Sequence, residues 1–503
     1  MFKKILIANR GEIAIRIARA CRELGISTIG VYSTIDKTAY HLRYMDEAVW
    51  IGESQPLSSY LNIDAIIEAA KKTKSDAIHP GYGFLAENSQ FAQACENNGL
   101  IFIGPSSQAL RLVGDKVASR KTIKKIDVPI IPGMEITSKE LHIFKYAAEE
   151  VGYPVIVKAS MGGGGKGMRV VRNEKDLESS IAAGQREALS AFGDESVYLE
   201  KYIEQPRHIE FQVLRDKFGN TIHLYERECS IQRRHQKIIE ETPSPALDED
   251  LRIKMGEAAK RVIETADYTS AGTVEFLLDK DKNFYFLEVN ARIQVEHPIT
   301  EMVTGVDLVH QQILIASGER MKLKQVQISQ RGHAIETRIY AEDPENNFLP
   351  YPGKILFLSE PSGPGVRLDS GIYQGCDIPP HYDPILSKLI VWSETRKMAI
   401  VRLSNSLKNY IILGIKNNIG YLNRIINTTN FIDGNYHTHF IDENEEILKP
   451  KHQKKDIALI ASALNLTGTK GKTGVGTVQN EILYKKSTPW QELGQWEICI
   501  KNS

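Results

Sequence analysis

Apolar residues in the first hundred positions follow the spacing of alternating strands and helices. The apolar runs at residues 3–9 and 28–32 predict two strands, and between them apolar side chains recur every three or four residues until Gly25. Strand, helix and strand at this spacing begin a parallel α/β layer. The elements predicted to continue it are a helix at 63–72, a strand at 76–80, a helix at 87–97 and a strand at 100–105.

A period-2 alternation, with polar residues recurring at every second position around Glu275 and Glu288, marks two later segments, 272–279 and 284–290. If they fold back about residues 280–283 as an antiparallel hairpin, Glu275 stands opposite Glu288. One face of this hairpin is then apolar and the other is polar. The apolar set is Val274, Phe276, Leu278, Tyr285, Leu287 and Val289, and the polar set is Thr273, Glu275, Glu288 and Asn290.

Two carboxylates opposed across a hairpin repel each other, so this pair predicts a cation between them. Oxygen ligands without cysteine or histidine favour Mg²⁺ or Mn²⁺ over zinc. The alternation continues beyond the hairpin and would align Arg292, Gln294 and Glu296 with Asn290 on the site face of an extended chain. An edge hairpin with solvated charges is the alternative interpretation.

The C-terminal half has a mixed pattern. Residues 300–319 have the spacing of a helix pair or one broken helix, and residues 332–344 alternate as a strand with Glu336, Arg338 and Tyr340 on one face. An arginine fixed in mid-strand is a better candidate for an anion contact than one on a helix surface. More strands follow to about residue 392, and helices are predicted between 398 and 427.

Composition narrows the class of protein. The 503 residues suffice for three or four domains, and 42% apolar with 25% charged residues is typical of a globular protein. The 63 basic residues cancel the 63 acidic ones, which argues against general nucleic-acid binding.

No apolar run reaches the roughly eighteen residues of a membrane span, and the first strand begins too early for a signal peptide. Five widely spaced cysteines without a CxxC pair suggest neither a disulfide framework nor a thiolate metal site, so we expect a reducing cytoplasm.

Four consecutive glycines at residues 162–165 lie between two predicted strands. Glycine backbones can approach a ligand closely and point N–H groups at phosphate oxygens, and Lys158 and Lys166 add positive charge. The loop joins strand to strand and lacks GK[ST], so it predicts a phosphate flap rather than a P-loop. A flexible hairpin without a ligand is the alternative. A second string, GKT at 471–473, is set aside because Leu466 stands where a P-loop needs its first glycine.

Other segments carry candidate ligand contacts. The turn HPGYGF at 79–84 follows the carboxyl end of a strand, where open α/β sheets bind ligands, although a plain turn would explain it as well. Residues 197–214 place Glu200 and Lys201 between apolar runs, and His208 alternates with Glu210 on a strand.

A basic cluster at 232–237 is flanked by acids. It fits a small-anion pocket better than a nucleic-acid patch, and a surface charge cluster is the alternative. Its members are Gln232, Arg233, Arg234, His235 and Lys237.

Seven motifs, in order along residues 2 to about 446, resemble those of biotin carboxylase. They are IANRGEIAIRIARA (7–20), HPGYGFLAEN (79–88), GDK (114–116), KASMGGGGKGMRVV (158–171), QRRHQK (232–237), EVNARIQVEHPITE (288–301) and RIYAEDP (338–344). The resemblance implies an α/β and α+β ATP-grasp fold in several parts. These are an N-terminal Rossmann-like domain (1–113), a glycine-loop lid (131–203) and a C-terminal ATP-grasp and mixed α/β domain (204–446). The residue pattern predicts a helical connector (114–130), and a composition rich in Lys, Thr, Gly and Asn, which the resemblance does not cover, predicts a flexible tail (447–503) that could dock on a partner.

The resemblance also implies roles for individual residues. The matches to the family's ATP contacts are Lys116, Lys158, Gly163, Gly164, Gly165, Lys166, Glu200, Lys201, Ile203, His208, Gln232, His235, Glu275 and Glu288. Glu275, Glu288 and Asn290 match its Mg²⁺ or Mn²⁺ ligands, with two ions expected. The matches to its bicarbonate site are Lys237, Arg292, Gln294, Val295 and Glu296, the last as general base, and Arg338 and Tyr82 match its biotin contacts. Met161 and His381 depart from the glycine and the aromatic residue that are usual there.

The implied reaction is ATP- and bicarbonate-dependent carboxylation of biotin, with Arg292, Glu296, Arg338 and Lys237 as the catalytic residues. Bicarbonate attacks the γ-phosphoryl group of ATP while Glu296 takes its proton, and the resulting carboxyphosphate breaks down to carbon dioxide and phosphate. Arg338 then stabilises the negative charge of the biotin enolate.

The resemblance implies that biotin is a substrate on a separate carrier protein. A biotinylated lysine lies in an AMKM-type turn, and the nearest string here, RMKLK (320–324), falls inside the catalytic region. The expected partners are therefore a biotin carboxyl carrier protein and a carboxyltransferase subunit, with a homodimer of this chain. An acyl-CoA carboxylase such as acetyl-CoA carboxylase is the first expectation, and a two-subunit pyruvate carboxylase is the second. The remaining alternatives are an inactive scaffold and another ATP-grasp carboxylate-amine ligase, which would not need RIQVEH or Arg338.

Overall fold

The computed structural model describes residues 1–114, 122–134, 140–159, 168–192, 195–234, 236–450, 460 and 462. Contacts divide the chain into two units, Met1–Lys449 and Pro450–Ser503, and the elements below belong to the first. The predicted tail lies almost wholly outside the described residues. In the described part of the chain, no helix combines the length and the apolar character needed to cross a membrane.

The N-terminal elements form an α/β layer. In chain order they are β1 (Lys4–Ile7), α1 (Gly11–Glu23), β2 (Ser27–Ser33), β3 (Glu47–Gly52), α2 (Ile63–Thr73), β4 (Ala77–His79), α3 (Ser89–Asn97), β5 (Ile101–Phe102) and α4 (Ser107–Gly114). The five strands are parallel, in the order β3-β2-β1-β4-β5. This confirms the predicted parallel layer. The edge strand β3 was not predicted, because its partly exposed residues form no continuous apolar run.

The turn after β4 is fixed by a side chain at the end of β1. The Asn9 Nδ2 group donates hydrogen bonds to the carbonyl oxygens of Pro80 and Tyr82, each at 2.7 Å. Gly81 has a φ of +64°, and a Cβ there would lie 2.9 Å from Asn9 Nδ2. Only glycine therefore fits this turn, which sets the position of Tyr82.

The lid segment forms a small sheet of its own. Its elements are β6 (Gly133–Met134), α5 (Leu141–Val151), β7 (Val155–Ala159), β8 (Arg169–Val171), α6 (Leu177–Phe192) and β9 (Val197–Lys201). The strand order is β6-β9-β7-β8, and β7 and β8 are antiparallel. The glycine-rich segment thus joins strand to strand, as predicted, although residues 160–167 themselves lie outside the described part of the chain.

The remaining elements form the centre and the C-terminal part of the first unit. They are β10 (Arg207–Arg215), β11 (Thr221–Arg233), β12 (Gln236–Thr242), α7 (Glu249–Thr265), β13 (Ser270–Leu278), β14 (Phe284–Asn290), α8 (His297–Thr304), α9 (Leu308–Ala316), β15 (His333–Tyr340), β16 (Glu342–Asp343), β17 (Leu349–Pro350), β18 (Gly353–Lys354), β19 (Phe357–Ser359), β20 (Val366–Ser370), β21 (Asp377–Ile378), β22 (Ile385–Ser393), α10 (Arg396–Asn409), β23 (Ile411–Leu413), α11 (Ile419–Ile426), α12 (Thr429–Ile432), α13 (Phe440–Glu443) and α14 (Glu445–Leu448). Eight strands form one antiparallel sheet, in the order β14-β13-β10-β11-β12-β15-β22-β20. Helices α8 and α9 are the pair expected over residues 300–319.

The hairpin of β13 and β14 has the predicted cross-strand pairing of Glu275 with Glu288. A bulge follows Glu275, so that Phe276 pairs with Phe286. Their rings pack at a centroid distance of 6.5 Å in the core, whereas Tyr285 and Leu287 are only half-buried. The predicted apolar face was therefore wrong at Tyr285 and Leu287, because strict alternation takes no account of the extra residue in a bulge.

The strand β14 ends at Asn290, and the chain then bends into helix α8. The prediction of one extended run through Glu296 was therefore wrong. Pro298 in the first turn favours a helix start here, since its fixed φ suits that position and its missing N–H is not needed there. Glu296 takes the N-cap position of α8.

Candidate active site

The ammonium group of Lys237 lies among three carboxylates. Lys237 Nζ donates to Glu275 Oε1 at 2.7 Å, to Glu296 Oε1 at 2.8 Å and to a carboxylate oxygen of Glu210. Burial alone would lower the pKa of Lys237, but the three negative charges outweigh it and raise that pKa well above its usual value. Lys237 therefore stays positively charged and draws together acids from β10, β13 and the start of α8.

The opposed carboxylates of Glu275 and Glu288 have the donor chemistry of a magnesium or manganese site. Asn290 on β14 adds an amide oxygen, and its Nδ2 group is buried without a hydrogen-bond partner among the described residues. Glu275 also lies 3.0 Å from His208 Nε2 and accepts a 3.0 Å hydrogen bond from Gln294. Burial would raise the pKa of Glu275, but Lys237 and His208 lower it well below its usual value, so this ligand is ionised. An all-oxygen donor set that includes two carboxylates fits Mg²⁺ or Mn²⁺.

Arg292 connects this site to the N-terminal layer. Its Nε donates to Glu87 Oε2 at 3.0 Å, and its Nη2 donates to Asn290 Oδ1 at 3.1 Å. Glu87, which lies just before α3, also accepts a 3.0 Å hydrogen bond from the backbone N–H of Ala291. The guanidinium is thus held beside the predicted metal ligands although the chain has left its strand.

Glu296 lies between two cations. Its Oε1 accepts from Lys237 Nζ at 2.8 Å, and its Oε2 accepts from Arg338 Nη2 at 2.9 Å. Burial would raise the pKa of Glu296, but Lys237 and Arg338 lower it below its usual value. The carboxylate is therefore ionised, as a proton acceptor must be.

Arg338 is almost wholly buried on β15 and has a second acid partner. Its Nε donates to Glu240 Oε1 at 2.6 Å. The cross-strand neighbour of Arg338 is Lys388 on β22, which is fully buried. Lys388 Nζ lies 3.1 Å from Glu12 Oε1 and donates to the carbonyl oxygen of Val295 at 2.9 Å.

Tyr82 reaches the same region from the N-terminal layer. Its hydroxyl donates to Glu12, and Lys388 Nζ lies 5.9 Å from the centre of its ring. The structure thus brings Tyr82, Val295 and Arg338 together around Lys388. Lys388 was not among the predicted site residues, although a single lysine in the middle of the apolar run at 385–392 was a usable signal.

Arg227 on β11 is a second residue that was not predicted, and its hydrogen bonds hold other side chains of the site in place. It is fully buried and donates to Gln212 Oε1 at 2.8 Å, to Gln294 Oε1 at 2.7 Å and to Glu210. It thereby holds Gln294 against Glu275. The string of three charged residues at 226–228 within a strand was a signal for it, because an exposed strand face alone cannot accommodate consecutive charges.

The predicted ATP contacts are partly described. Lys158 pairs with Glu200 at 2.6 Å across the lid sheet, and Gln232 Nε2 lies 2.9 Å from His208 Nδ1. The Lys201 ammonium donates to the carbonyl oxygens of Gly152 and Tyr153 at 2.8 and 2.9 Å, and Ile203 is half-buried beyond β9. The predicted contacts that lie outside the described residues are Lys116, Gly163, Gly164, Gly165, Lys166 and His235.

The described members of the basic cluster at 232–237, which exclude His235, do not all face one pocket. Lys237 and Gln232 face the carboxylates and His208, whereas Arg233 donates to Glu342 at 2.9 Å and stacks over Phe348. The hairpin of β11 and β12 turns at Arg234, which has a φ of +49°. The prediction of a single anion pocket from this cluster was therefore wrong. Of the described members, only Lys237 and the amide of Gln232 belong to the site.

A glycine-linked lid sheet and a central sheet that gathers opposed carboxylates, a buried lysine and two arginines define an ATP-grasp enzyme. Residues 1–110 match the family model for the biotin carboxylase N-terminal domain, 115–324 that for the ATP binding domain of the carbamoyl-phosphate synthase L chain, and 336–443 that for the biotin carboxylase C-terminal domain. The chain belongs to the biotin carboxylase family, and its activity is that of an ATP-dependent biotin carboxylase.

Known relatives carry different names. The chain is 54% identical to a biotin carboxylase of Nostoc sp. over 442 residues, which is 88% of this chain and 99% of that one. It is also 54% identical to a pyruvate carboxylase subunit of Methanothermobacter thermautotrophicus, over 88% of this chain and 90% of that one. The alpha subunit of the mitochondrial methylcrotonoyl-CoA carboxylase of Dictyostelium discoideum is 45% identical over 98% of this chain and 70% of its own length.

Solved structures agree with this fold. The biotin carboxylase domain dimer of Hydrogenobacter thermophilus 2-oxoglutarate carboxylase, in complex with MgADP, ADP and bicarbonate, superposes with a TM-score of 0.84 at 46% identity. It covers 90% of this chain and 100% of that one. The Campylobacter jejuni biotin carboxylase in a β-γ-ATP complex also has a TM-score of 0.84, at 47% identity over 88% of this chain and 99% of that one.

Proposed function

We propose that the chain carboxylates biotin on a separate biotin carboxyl carrier protein, as the biotin carboxylase subunit of an acyl-CoA carboxylase. The observation that carries the proposal is the position of Glu296 between Lys237 and Arg338, at 2.8 and 2.9 Å. One carboxylate thereby lies between the lysine assigned to bicarbonate and the arginine assigned to biotin. This arrangement suits a reaction in which the two substrates must meet.

Bicarbonate is held by Arg292, by Lys237 and by the segment of Gln294 and Val295. Glu87 fixes the Arg292 guanidinium and Arg227 fixes the Gln294 amide, so both groups are oriented before the anion arrives. Glu296 accepts the proton of bicarbonate as its oxygen attacks the γ-phosphoryl group of ATP, which yields carboxyphosphate and ADP.

Glu275, Glu288 and Asn290 are the residues that would hold the two Mg²⁺ or Mn²⁺ ions expected with ATP. When bound, such ions neutralise phosphate charge during phosphoryl transfer. The ATP molecule itself is assigned to the lid contacts Lys158 and Glu200, together with His208 and Gln232. The MgADP and bicarbonate in the Hydrogenobacter thermophilus structure support the binding of a magnesium nucleotide and of bicarbonate by this fold.

Biotin is placed between Tyr82 and Arg338. Carboxyphosphate decomposes to carbon dioxide and phosphate, and the phosphate removes the N1′ proton of biotin. The Arg338 guanidinium stabilises the resulting enolate oxygen, which is the group whose charge increases in the transition state. Carbon dioxide then bonds to N1′.

The acyl-CoA acceptor is favoured by the methylcrotonoyl-CoA carboxylase relative of Dictyostelium discoideum, whose similarity extends over 98% of this chain. A two-subunit pyruvate carboxylase is the second candidate, and the 54% identical pyruvate carboxylase subunit of Methanothermobacter thermautotrophicus favours it. We also propose a homodimer, as in the Hydrogenobacter thermophilus domain, and a cytoplasmic location.

The test combines purified chain with its co-purifying biotinylated protein and transferase, Mg-ATP and labelled bicarbonate. We expect label on biotin first, and then transfer to acetyl-CoA, propionyl-CoA or 3-methylcrotonyl-CoA. Transfer to pyruvate alone would establish the second candidate instead. Light scattering of the purified chain measures the oligomeric state, and a monomer at working concentration would contradict the proposed dimer.

A further inference from the structure

Two buried glutamates face each other behind Arg338. Glu240 on β12 and Glu336 on β15 are cross-strand partners, and both side chains are fully buried. Cross-strand partners point to the same side of a sheet, with Cβ atoms about 5 Å apart. Glu240 Oε1 accepts the Arg338 Nε hydrogen bond at 2.6 Å. Among the described residues, Glu240 Oε2 and both oxygens of Glu336 find no hydrogen-bond partner.

The surrounding charges do not balance two ionised carboxylates here. Arg338 already pairs with Glu240 and Glu296. Lys388 is also already paired, since its Nζ lies 3.1 Å from Glu12 and 3.8 Å from Asp369. A buried carboxylate without a counter-charge or hydrogen bond is costly, whereas one proton between two opposed carboxyl groups removes the excess charge. The charged groups that face the pair are Arg338, Lys388, Lys237 and Glu296.

The directions in which burial shifts the two pKa values agree with this geometry. Burial raises the pKa of Glu240 to about 7 against the opposing effect of Arg338. Burial also raises the pKa of Glu336 well above its usual value, although Lys388 opposes this. The acid with a hydrogen-bonded arginine is thus the easier of the two to ionise.

We propose that Glu240 and Glu336 share one proton with the negative charge on Glu240, so that Glu240 acts as the positioning residue for Arg338. The inference rests on the proposed role of Arg338 toward the biotin enolate. Glu240 Oε1 lies 2.6 Å from both Nε and Nη2 of Arg338, and together with Glu296, which accepts from Nη2, it fixes the guanidinium. A neutral Glu336 adds no third negative charge beside those of Glu240 and Glu296. The positive charge of Arg338 therefore remains available to the biotin enolate.

The shared-proton arrangement predicts different catalytic rates for Glu336→Gln and Glu240→Gln, although each variant keeps one ionisable acid of the pair. Glu336→Gln retains the charge on Glu240, so the value of kcat for free biotin carboxylation should stay within about threefold of wild type. Glu240→Gln leaves the remaining acid at the wrong position, so that kcat should fall about 10- to 100-fold, because the charged acceptor that orients the Arg338 guanidinium is lost. A matched control is Glu342→Gln, since Glu342 is a nearby buried acid that pairs with Arg233 instead of Arg338.

The measurement is phosphate release from Mg-ATP and bicarbonate, with and without free biotin, together with thermal denaturation of each variant. We expect Glu240→Gln to lower the biotin-dependent rate while the KM values for ATP and bicarbonate stay within about threefold. A merely structural role would lower both reactions together with Tm. Equal losses of the biotin-dependent rate in Glu240→Gln and Glu336→Gln, or no loss in either, would overturn the shared-proton assignment.

Two further samples separate this inference from the function on which it rests. Wild type must release phosphate in response to biotin, and Arg338→Gln must lose that response. If either fails, the proposed function is wrong rather than the pairing of Glu240 with Glu336. If both hold, the comparison of the two glutamine variants decides the inference by itself.

Discussion

Lys237 and Arg338 bind the two oxygens of one carboxylate, that of Glu296. Lys237 comes from β12 and Arg338 from β15, which are neighbours in the central sheet. Glu296 itself comes from the start of α8, so three separate elements fix its orientation. A proton acceptor held in this way needs no reorganisation when bicarbonate binds.

Replacing Glu296 tests its role as the base. In Glu296→Gln the side chain keeps its size but cannot accept a proton, and we expect bicarbonate- and biotin-dependent ATP hydrolysis to fall by about two to four orders of magnitude. Titration calorimetry with ATP should give an affinity close to that of wild type. Turnover near the wild-type rate would contradict the assignment.

Glu87 offers a test of how Arg292 is held. In Glu87→Gln the charged partner of the guanidinium is lost, and we expect the KM for bicarbonate to rise about tenfold while the KM for ATP changes less than about twofold. Initial rates at varied bicarbonate measure this. Glu47→Gln is the matched control, because Glu47 is an exposed acid of the same layer that pairs with Lys4. An equal effect in both variants would show that Glu87 does not act through Arg292.

Much of this site could be predicted from the sequence because it depends on residues that are close together in the chain. Alternation on β13 and β14 placed Glu275 opposite Glu288, and both the strand-to-strand glycine connection and the parallel N-terminal layer followed from short-range spacing. The rest depended on tertiary contacts. The bulge after Glu275, the bend after Asn290 and the contact of Glu87 with Arg292 join segments whose relation no local period encodes. Buried ions such as Lys388 were missed because their partners, including Glu12, lie hundreds of residues away in the chain.

Glu288 tests the predicted metal site. In Glu288→Gln one of the two opposed anionic ligands becomes neutral, and we expect the Mg²⁺ concentration for half-maximal activity to rise about tenfold or more, since carboxylate charge dominates the affinity for hard divalent cations. Activity is measured against free Mg²⁺ after removal of metal with EDTA, with ATP held saturating. The control Asp281→Asn removes an exposed acid at the tip of the same hairpin. An unchanged Mg²⁺ requirement in Glu288→Gln would exclude Glu288 as a ligand.

Glu241 on β12 tests the buried electrostatics away from the catalytic groups. It accepts hydrogen bonds from Arg396 Nε at 2.7 Å and Arg396 Nη2 at 2.9 Å, and it pairs with His333 at 2.5 Å. Burial would raise the pKa of Glu241, but His333 and Arg396 lower it from 4.5 to about 2. Because the unfolded chain binds the proton more tightly, the stabilisation is present above pH 4.5 and is lost as pH falls toward 2. This stabilisation amounts to about 3 kcal/mol at neutral pH.

We expect Glu241→Gln to lower the free energy of unfolding by about that amount at pH 7 in urea denaturation, and the difference from wild type to shrink by about 1 kcal/mol at pH 4. A difference that is independent of pH would mean that the ionised carboxylate of Glu241 does not supply this stability.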